Sequence, residues 1–353
     1  MYAYADYEVL DYIEYGGEYG RAANRVAGGG RSTSSTTPPV TFSGTYYIKN
    51  VNSGKFLDVK NGWTTDETQV WQWNFNATAA QQWTITHLGN GVHHIVPKHT
   101  TGKRLDINGG GDVNGTKVQI YSNNTSDAQK FRFGRTGFSG SYTIKPTYTT
   151  RVLDVEATST AAGAKVQLWQ NNGGTNQQWN FAPTSSFLSA GLSRRSVTIR
   201  VNRDSSITNA QWNDMWLPAI RAAANSWNNS GAGVNVTITT TGTSEHILTV
   251  GVQRDSMGNI ESWDGLYVPN TKTGAVTSSR IYINTVGLYN IGANGTPASL
   301  RRAVIAHEIG HMFWLKDNPA TTQNSLMRYQ SVYDNNISTP QSLDVNNVQF
   351  VYE

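Results

Sequence analysis

The chain has 353 residues, with 37% hydrophobic and 15% charged side chains and a formal net charge of +4. That length suits two or three domains, each large enough for a core, and the small positive surplus, spread without a basic block, excludes a polybasic face for nucleic acid or anionic lipid. The count of 0 cysteines excludes a disulfide framework, a thiol nucleophile and a thiolate metal site, and no apolar run approaches the roughly 18–20 residues that span a bilayer.

Residues 1–42 read as a Tyr-rich, acidic extension followed by the Ser/Thr/Pro segment RSTSSTTPPVT. This composition cannot bury a core and predicts a disordered tail or propeptide remnant with a linker. The first residues lack the basic start and apolar stretch of a signal peptide. An extracellular protein whose natural start lies upstream is the expectation.

Residues 43–182 carry an internal repeat. Leu57-Asp58-Val59 recurs as Leu105-Asp106-Ile107 and Leu153-Asp154-Val155, each 48 residues on. Gln69-Val70-Trp71 recurs as Gln119-Ile120-Tyr121 and Gln167-Leu168-Trp169, and Gln81-Gln82-Trp83 as Gln129-Lys130-Phe131 and Gln177-Gln178-Trp179. Each Asp stands 25 residues before its closing aromatic. Short alternating strands with Gly/Asn/Ser turns are predicted, the aliphatic residues of Leu-Asp-Val facing inward and the Asp outward. One unit cannot bury its apolar face alone, so three should share a core, with Trp83, Phe131 and Trp179 inside it.

This pattern resembles the ricin B-type lectin family, a β-trefoil with three QxW repeats. The resemblance implies a carbohydrate ligand. Its sugar-binding Asp, stacking aromatic and amide map onto Asp154, Trp169 and Asn176, supported by Gln167 and Gln177. The first repeat offers Asp58, Gln69, Trp71 and Gln81, and the second Asp106, Gln119, Tyr121 and Gln129. Ala80 and Ala128 replace the amide there, which implies weaker sites.

Residues 183–195 read as a second, Ser-rich linker. From 196 to 353 the texture changes: SVTIRVN is a predicted strand, residues 210–229 a helix with Trp212, Trp216, Ile220, Ala223 and Trp227 near helical spacing, and VNVTITTT, HILTVGVQ and RIYINT further strands. That order predicts a mixed sheet with a covering helix. Thr296-Pro297 opens another helix, as N-cap and first residue.

That helix carries His307-Glu308-Ile309-Gly310-His311. Residues i and i+4 share a face, so both imidazoles can bind one cation while Glu308 handles a water proton. A catalytic zinc takes three protein ligands and keeps an open position. His246 is the remaining histidine here, and no Glu stands between 312 and 352. Elimination among the acids gives Asp317 as third ligand, with Asp334 as the alternative.

With Ser325-Leu326-Met327-Arg328-Tyr329 and the final Thr339–Tyr352 segment, the constellation resembles a metzincin metalloprotease over 196–353. The resemblance implies one catalytic Zn2+ on His307, His311 and Asp317, with Glu308 and Tyr329 catalytic and Met327 in the Met-turn; no Ca2+ site is assigned. Asp stands for the third His, as in the snapalysin-like branch, and Trp314 for the usual Gly, where a non-glycine residue costs about 1–2 kcal/mol. The fold expected is multidomain, an all-β β-trefoil followed by an α+β metzincin-like domain. The function expected is a secreted zinc endopeptidase directed to glycans or glycoprotein substrates. The alternative is a carbohydrate-binding lectin with a degenerate, inactive metalloprotease domain.

Overall fold

The computed structural model describes residues 39–352 except 138–139, 273–274, 290–296 and 334. The expectations placed on residues 1–38, on Thr296 and on Asp334 fall outside the described residues.

Each repeat supplies four strands: β1 (Gly44–Asn50), β2 (Phe56–Val59), β3 (Thr68–Trp73) and β4 (Gln82–Gly89); β5 (Val92–Pro97), β6 (Lys103–Ile107), β7 (Thr116–Ser122) and β8 (Phe131–Arg135); β9 (Ser141–Pro146), β10 (Val152–Val155), β11 (Val166–Trp169) and β12 (Trp179–Pro183). The outer strands of each repeat pair in a ring, β1–β4–β5–β8–β9–β12 and back to β1, all antiparallel. The inner pairs β2–β3, β6–β7 and β10–β11 form hairpins that cap the barrel. Leu57, Leu105, Leu153, Trp83, Phe131 and Trp179 are all 0% exposed in the shared core. Burying each of these side chains contributes about 2–3 kcal/mol of apolar transfer. The 25-residue spacing has a local cause: the indoles of Trp83 and Trp179 donate to the carbonyls of Leu57 and Leu153, at 2.9 and 3.4 Å.

Three expectations are corrected here. Asp58, Asp106 and Asp154 leave the apolar core but do not reach solvent; they are only 3–5% exposed, because amide and aromatic side chains cover them. Phe42 belongs to the trefoil core rather than to the linker, stacking on Phe181 at 4.6 Å. Gln69 turns away from Asp58 and donates to the carbonyls of Val70, Val118 and Val166, one from each repeat.

The second region is a five-stranded sheet covered by helices, ordered β14–β13–β15–β17–β16. Its strands are β13 (Ser196–Arg203), β14 (Asn235–Thr239), β15 (His246–Gly251), β16 (Gly265–Lys272) and β17 (Ala275–Asn284). All neighbours are parallel except β16, which runs antiparallel along β17 as an edge. The sequence reading missed β16, whose Asp-Gly and Pro residues read as turn signals. The helices are α1 (Asn209–Gln211), which passes through a π turn at Trp212–Trp216 into α2 (Leu217–Asn228), then α3 (Thr285–Tyr289), α4 (Ala298–Met312), α5 (Tyr329–Tyr333) and α6 (Ser342–Tyr352). Pro218, in the first turn of α2, has no N–H to continue the regular ladder, and the π turn accommodates it.

Helix α4 is buried on nearly every side from Ala303 to Met312, so its apolar residues lack a single stripe. Trp227 on α2 donates to the Ala306 carbonyl at 2.8 Å. The helix starts at Ala298 with Pro297 in the cap position and no side-chain cap, one residue later than expected.

Residues 183–195 are no loose linker. The stretch runs along the chain that leaves α4: Leu192 N–H donates to Met312 at 2.8 Å, Leu188 N–H to Trp314 at 2.7 Å, and Lys316 N–H to Ser186 at 3.1 Å. Its Ser residues suggested solvent, but Phe187, Ala190 and Leu192 are buried. Phe187 joins Tyr47, Phe56 and Phe75 of the trefoil, with Trp314, in an aromatic cluster between the two regions.

Candidate functional site

His307 and His311 lie one turn apart on α4, and Asp317 sits on the loop after it. Among the described residues, these form the group of side chains able to hold a metal ion, one ligand atom from each lying within 4.8 Å of the others. Nδ1 of His307 lies 2.9 Å from the Leu326 carbonyl and Nδ1 of His311 2.8 Å from the Leu315 carbonyl. A carbonyl only accepts, so both Nδ1 atoms carry a proton, and Nε2 is the ring atom that each histidine can offer to a ligand. These Nε2 atoms face the same Asp317 Oδ1 at 2.8 and 3.4 Å. With both Nε2 atoms deprotonated, three ligand atoms converge on one point, as a cation requires.

The electrostatics agree. Burial alone would lower the His307 pKa, but Asp317, Glu308 and the Leu326 carbonyl outweigh it and raise it. Burial would raise Asp317, yet the two imidazoles hold it far below the usual carboxylate range. Both shifts belong to a site that favours added positive charge.

Glu308 is 6% exposed, with Oε2 4.0 Å from His311 Nε2 and without a hydrogen-bond partner. Burial raises its pKa against the pull of His307 and His311. It faces a cleft of about 290 Å³ lined by Trp263, Gly265, His307, Tyr329 and Tyr333. Tyr329 is 48% exposed at the rim, its ring stacked on His307 with centroids 5.5 Å apart. Burial and the Asp317 charge push its hydroxyl up to about 12, so it stays protonated and able to donate. Met327 is 1% exposed beneath α4. A Cβ on Gly310 would lie 2.7 Å from its sulfur, so the Gly of His-Glu-Ile-Gly-His lets the Met-containing turn approach. His246 lies elsewhere, its Nδ1 3.0 Å from Ser279 Oγ on the neighbouring strand.

The sequence reading missed several supporting residues. Tyr267 on β16 stacks on His311 at 5.8 Å. The carboxylate of Asp344, 1% exposed, accepts from Ser325 Oγ at 2.5 Å, Leu326 N at 2.7 Å and Gln341 N at 2.8 Å, and so fixes the carbonyl that orients His307. Asp344 was visible only as one acid among several after His311. Trp314 has φ 73°, the left-handed conformation that ordinarily selects glycine, and the turn it makes precedes Asp317 by three residues.

In the third repeat, Asp154 Oδ1 accepts from Gln167 at 3.1 Å, and Oδ2 from Asn176 at 2.8 Å and Gln177 at 3.0 Å. Trp169, 37% exposed, stands two residues beyond Gln167 on β11. In the second repeat, Asp106 accepts from Gln119 at 2.9 Å and Gln129 at 3.1 Å, with Tyr121 half-buried alongside. The first repeat differs: the Trp71 indole donates to Asp58 at 2.6 Å, taking the place of Gln69. Burial raises Asp58 to about 6, against hydrogen bonds from Trp71 and Gln81. Trp71 stacks on Trp73 at 4.8 Å, and a cleft of about 410 Å³ opens over Asp58, Trp71, Asn76 and Ala80.

Family models agree with the trefoil. A ricin-type beta-trefoil lectin domain-like family matches residues 38–121, and the ricin-type beta-trefoil lectin domain family matches residues 91–215. Among solved structures, the designed 3-fold symmetric protein ThreeFoil is 36% identical over 39% of this chain and 97% of its own, with a TM-score of 0.38. The exo-beta-1,3-galactanase 1,3Gal43A from Clostridium thermocellum is 32% identical over 41% of this chain and 31% of its own, TM-score 0.38. A Macrolepiota procera ricin B-like lectin in complex with lactose is 24% identical over 41% of this chain and 98% of its own, TM-score 0.35. No curated protein matches the chain. No helix among the described residues is long and apolar enough to cross a membrane. The N-terminal β-region of this chain is a ricin B-type β-trefoil lectin domain.

Proposed function

We propose that the chain is a zinc-dependent endopeptidase of metzincin type whose trefoil binds glycans and directs it to glycosylated substrates outside the cell. The observation that carries this reading is the convergence of two imidazole Nε2 atoms and the Asp317 carboxylate beside a buried Glu308 whose Oε2 makes no hydrogen bond among the described residues. His307, His311 and Asp317 would hold the ion. When bound, a Zn2+ supplies Lewis acidity toward a carbonyl and acidifies a water.

The chain's own residues do the rest. Glu308 Oε2 takes the proton of the attacking water and passes it to the leaving amine nitrogen, for which its raised pKa suits it. The Tyr329 hydroxyl, kept protonated, donates to the carbonyl oxygen as charge develops there. β16 ends the sheet beside the cleft, and its outer edge, which pairs with no strand among the described residues, can align an extended peptide by main-chain hydrogen bonds. In the trefoil, Asp154, Asn176 and Trp169 supply the acceptor, the amide and the stacking face for a sugar. Weak sites add up when one glycan engages several.

The test is chelator-sensitive casein cleavage. Wild type should carry about one zinc per chain and lose activity to a chelator. Glu308→Ala should keep zinc and lose activity by at least about 100-fold. Full proteolysis by Glu308→Ala would overturn the catalytic assignment. A chain that binds glycans but neither zinc nor casein would be a lectin with an inactive second region.

A further inference from the structure

We infer that Trp314 is a positioning residue for the metal-ligand set and that the trefoil holds it there: Phe75 of the first repeat, with the strap 186–192, locks the left-handed backbone between His311 and Asp317. The inference rests on the metal-site reading proposed above.

Two of the three ligands are rigid by construction. His307 and His311 stand on a buried helix, each with Nδ1 held by a backbone carbonyl. Asp317 alone stands on a loop, and its reach depends on how the chain turns after Phe313. Trp314 makes that turn at φ 73°, a conformation that bulky residues do not hold unaided. What over-determines it is the neighbouring strap and the trefoil. The Trp314 indole donates to the Leu192 carbonyl at 2.8 Å, and its own carbonyl accepts from Leu188 at 2.7 Å. Its ring lies over Gly191 so closely that a Cβ there would be 2.5 Å away. The Phe75 ring closes the far side edge-on, with centroids 4.8 Å apart. Phe75 follows Trp73 by two residues, so one short loop both walls the first-repeat cleft through Asn76 and braces the ligand turn. The lectin domain is thereby part of the support of the metal site as well as a tether.

The experiment is a double-mutant cycle on the full chain, read by Zn2+ affinity in competition with a chromophoric chelator and by the visible absorption of the Co2+ form. Phe75→Ala should weaken Zn2+ binding about five- to thirty-fold and alter the Co2+ band, while the glycan signal of the third repeat stays. In a Trp314→Gly background, where the residue adopts the left-handed turn without help, Phe75→Ala should change Zn2+ affinity by about two-fold or less. An equal loss in both backgrounds, or none in either, overturns the inference. Wild type that binds no Zn2+ defeats the metal reading and this inference with it; wild type that binds Zn2+ as tightly as Phe75→Ala defeats this inference alone. Phe75→Leu, which keeps apolar volume but not the ring edge, reads the same cycle if Phe75→Ala does not fold.

Discussion

Gly265 opens β16 directly against Glu308, and Gly265→Ala is a steric probe of the proposed base. Gly265 is not among the glycines with positive φ, so alanine adopts its backbone without strain. The added methyl would come closest to Oε1 of Glu308 and lie 2.8 Å from both its Cγ and Cδ, where ordinary contact begins at 3.4 Å. The carboxyl must withdraw by about 1 Å at Oε1 to restore that contact, and a displacement of about 1 Å at a reacting group costs about 100-fold in rate. That factor corresponds to about 2.7 kcal/mol of transition-state stabilisation. The methyl touches none of His307, His311 or Asp317 among its nearest neighbours, so zinc content should stay at the wild-type level. Steady-state hydrolysis of a fluorogenic peptide, alongside metal analysis, separates the two quantities. A Gly265→Ala variant with wild-type kcat, or one that loses zinc in proportion to its activity, would refute the placement of Glu308 as the water's base.

Asp344→Ala leaves the Leu326 and Gln341 N–H groups without an acceptor, at about 1–3 kcal/mol each; a chemical-denaturation loss below about 1 kcal/mol would show that the carboxylate is dispensable. The same change frees the carbonyl that orients His307 and should cost about 10- to 100-fold in zinc affinity, measured by chelator competition. Asp58 is raised to about 6 from its ordinary 3.8, so the folded state retains a proton the unfolded chain gives up, and its contribution to stability is lost as pH rises through about 6. Asp58→Asn should therefore stabilise the trefoil by about 3 kcal/mol at pH 7.5 and by much less near pH 4, and an equal gain at both would contradict the burial argument. Asp154→Ala removes the acceptor shared by Gln167, Asn176 and Gln177, and unchanged binding on a glycan array would reject the third-repeat site.

The trefoil was legible because its markers are local: strand alternation, a repeated Leu-Asp-Val and a closing aromatic all reflect contacts within one repeat. The burial of the repeat aspartates was not, since the cover over Asp154 comes from Asn176 and Gln177, more than 20 residues away. The His-Glu-Ile-Gly-His turn was legible for the same reason, because i and i+4 share a helical face whatever surrounds the helix. Asp317 emerged by elimination from a short inventory of acids rather than from a pattern. Gly265, Asp344 and the strap 186–192 act across long separations, and nothing in their immediate sequence distinguishes them from a turn glycine, a surface acid and a Ser-rich linker. Trp314 was visible as a departure, and only its three-dimensional setting supplies the contacts that hold its turn.

Gln69 points to a different kind of constraint. Its amide occupies the place where carbonyls from Val70, Val118 and Val166 converge, a single position on an approximate threefold axis. Gln119 and Gln167, in the corresponding slots, face their own aspartates instead. A point on the axis admits one donor group, so three identical copies could not all place an amide there. The unequal roles of the three glutamines thus follow from a centre with room for one amide, and an averaged, perfectly periodic version of this sequence would have to find another way to satisfy it.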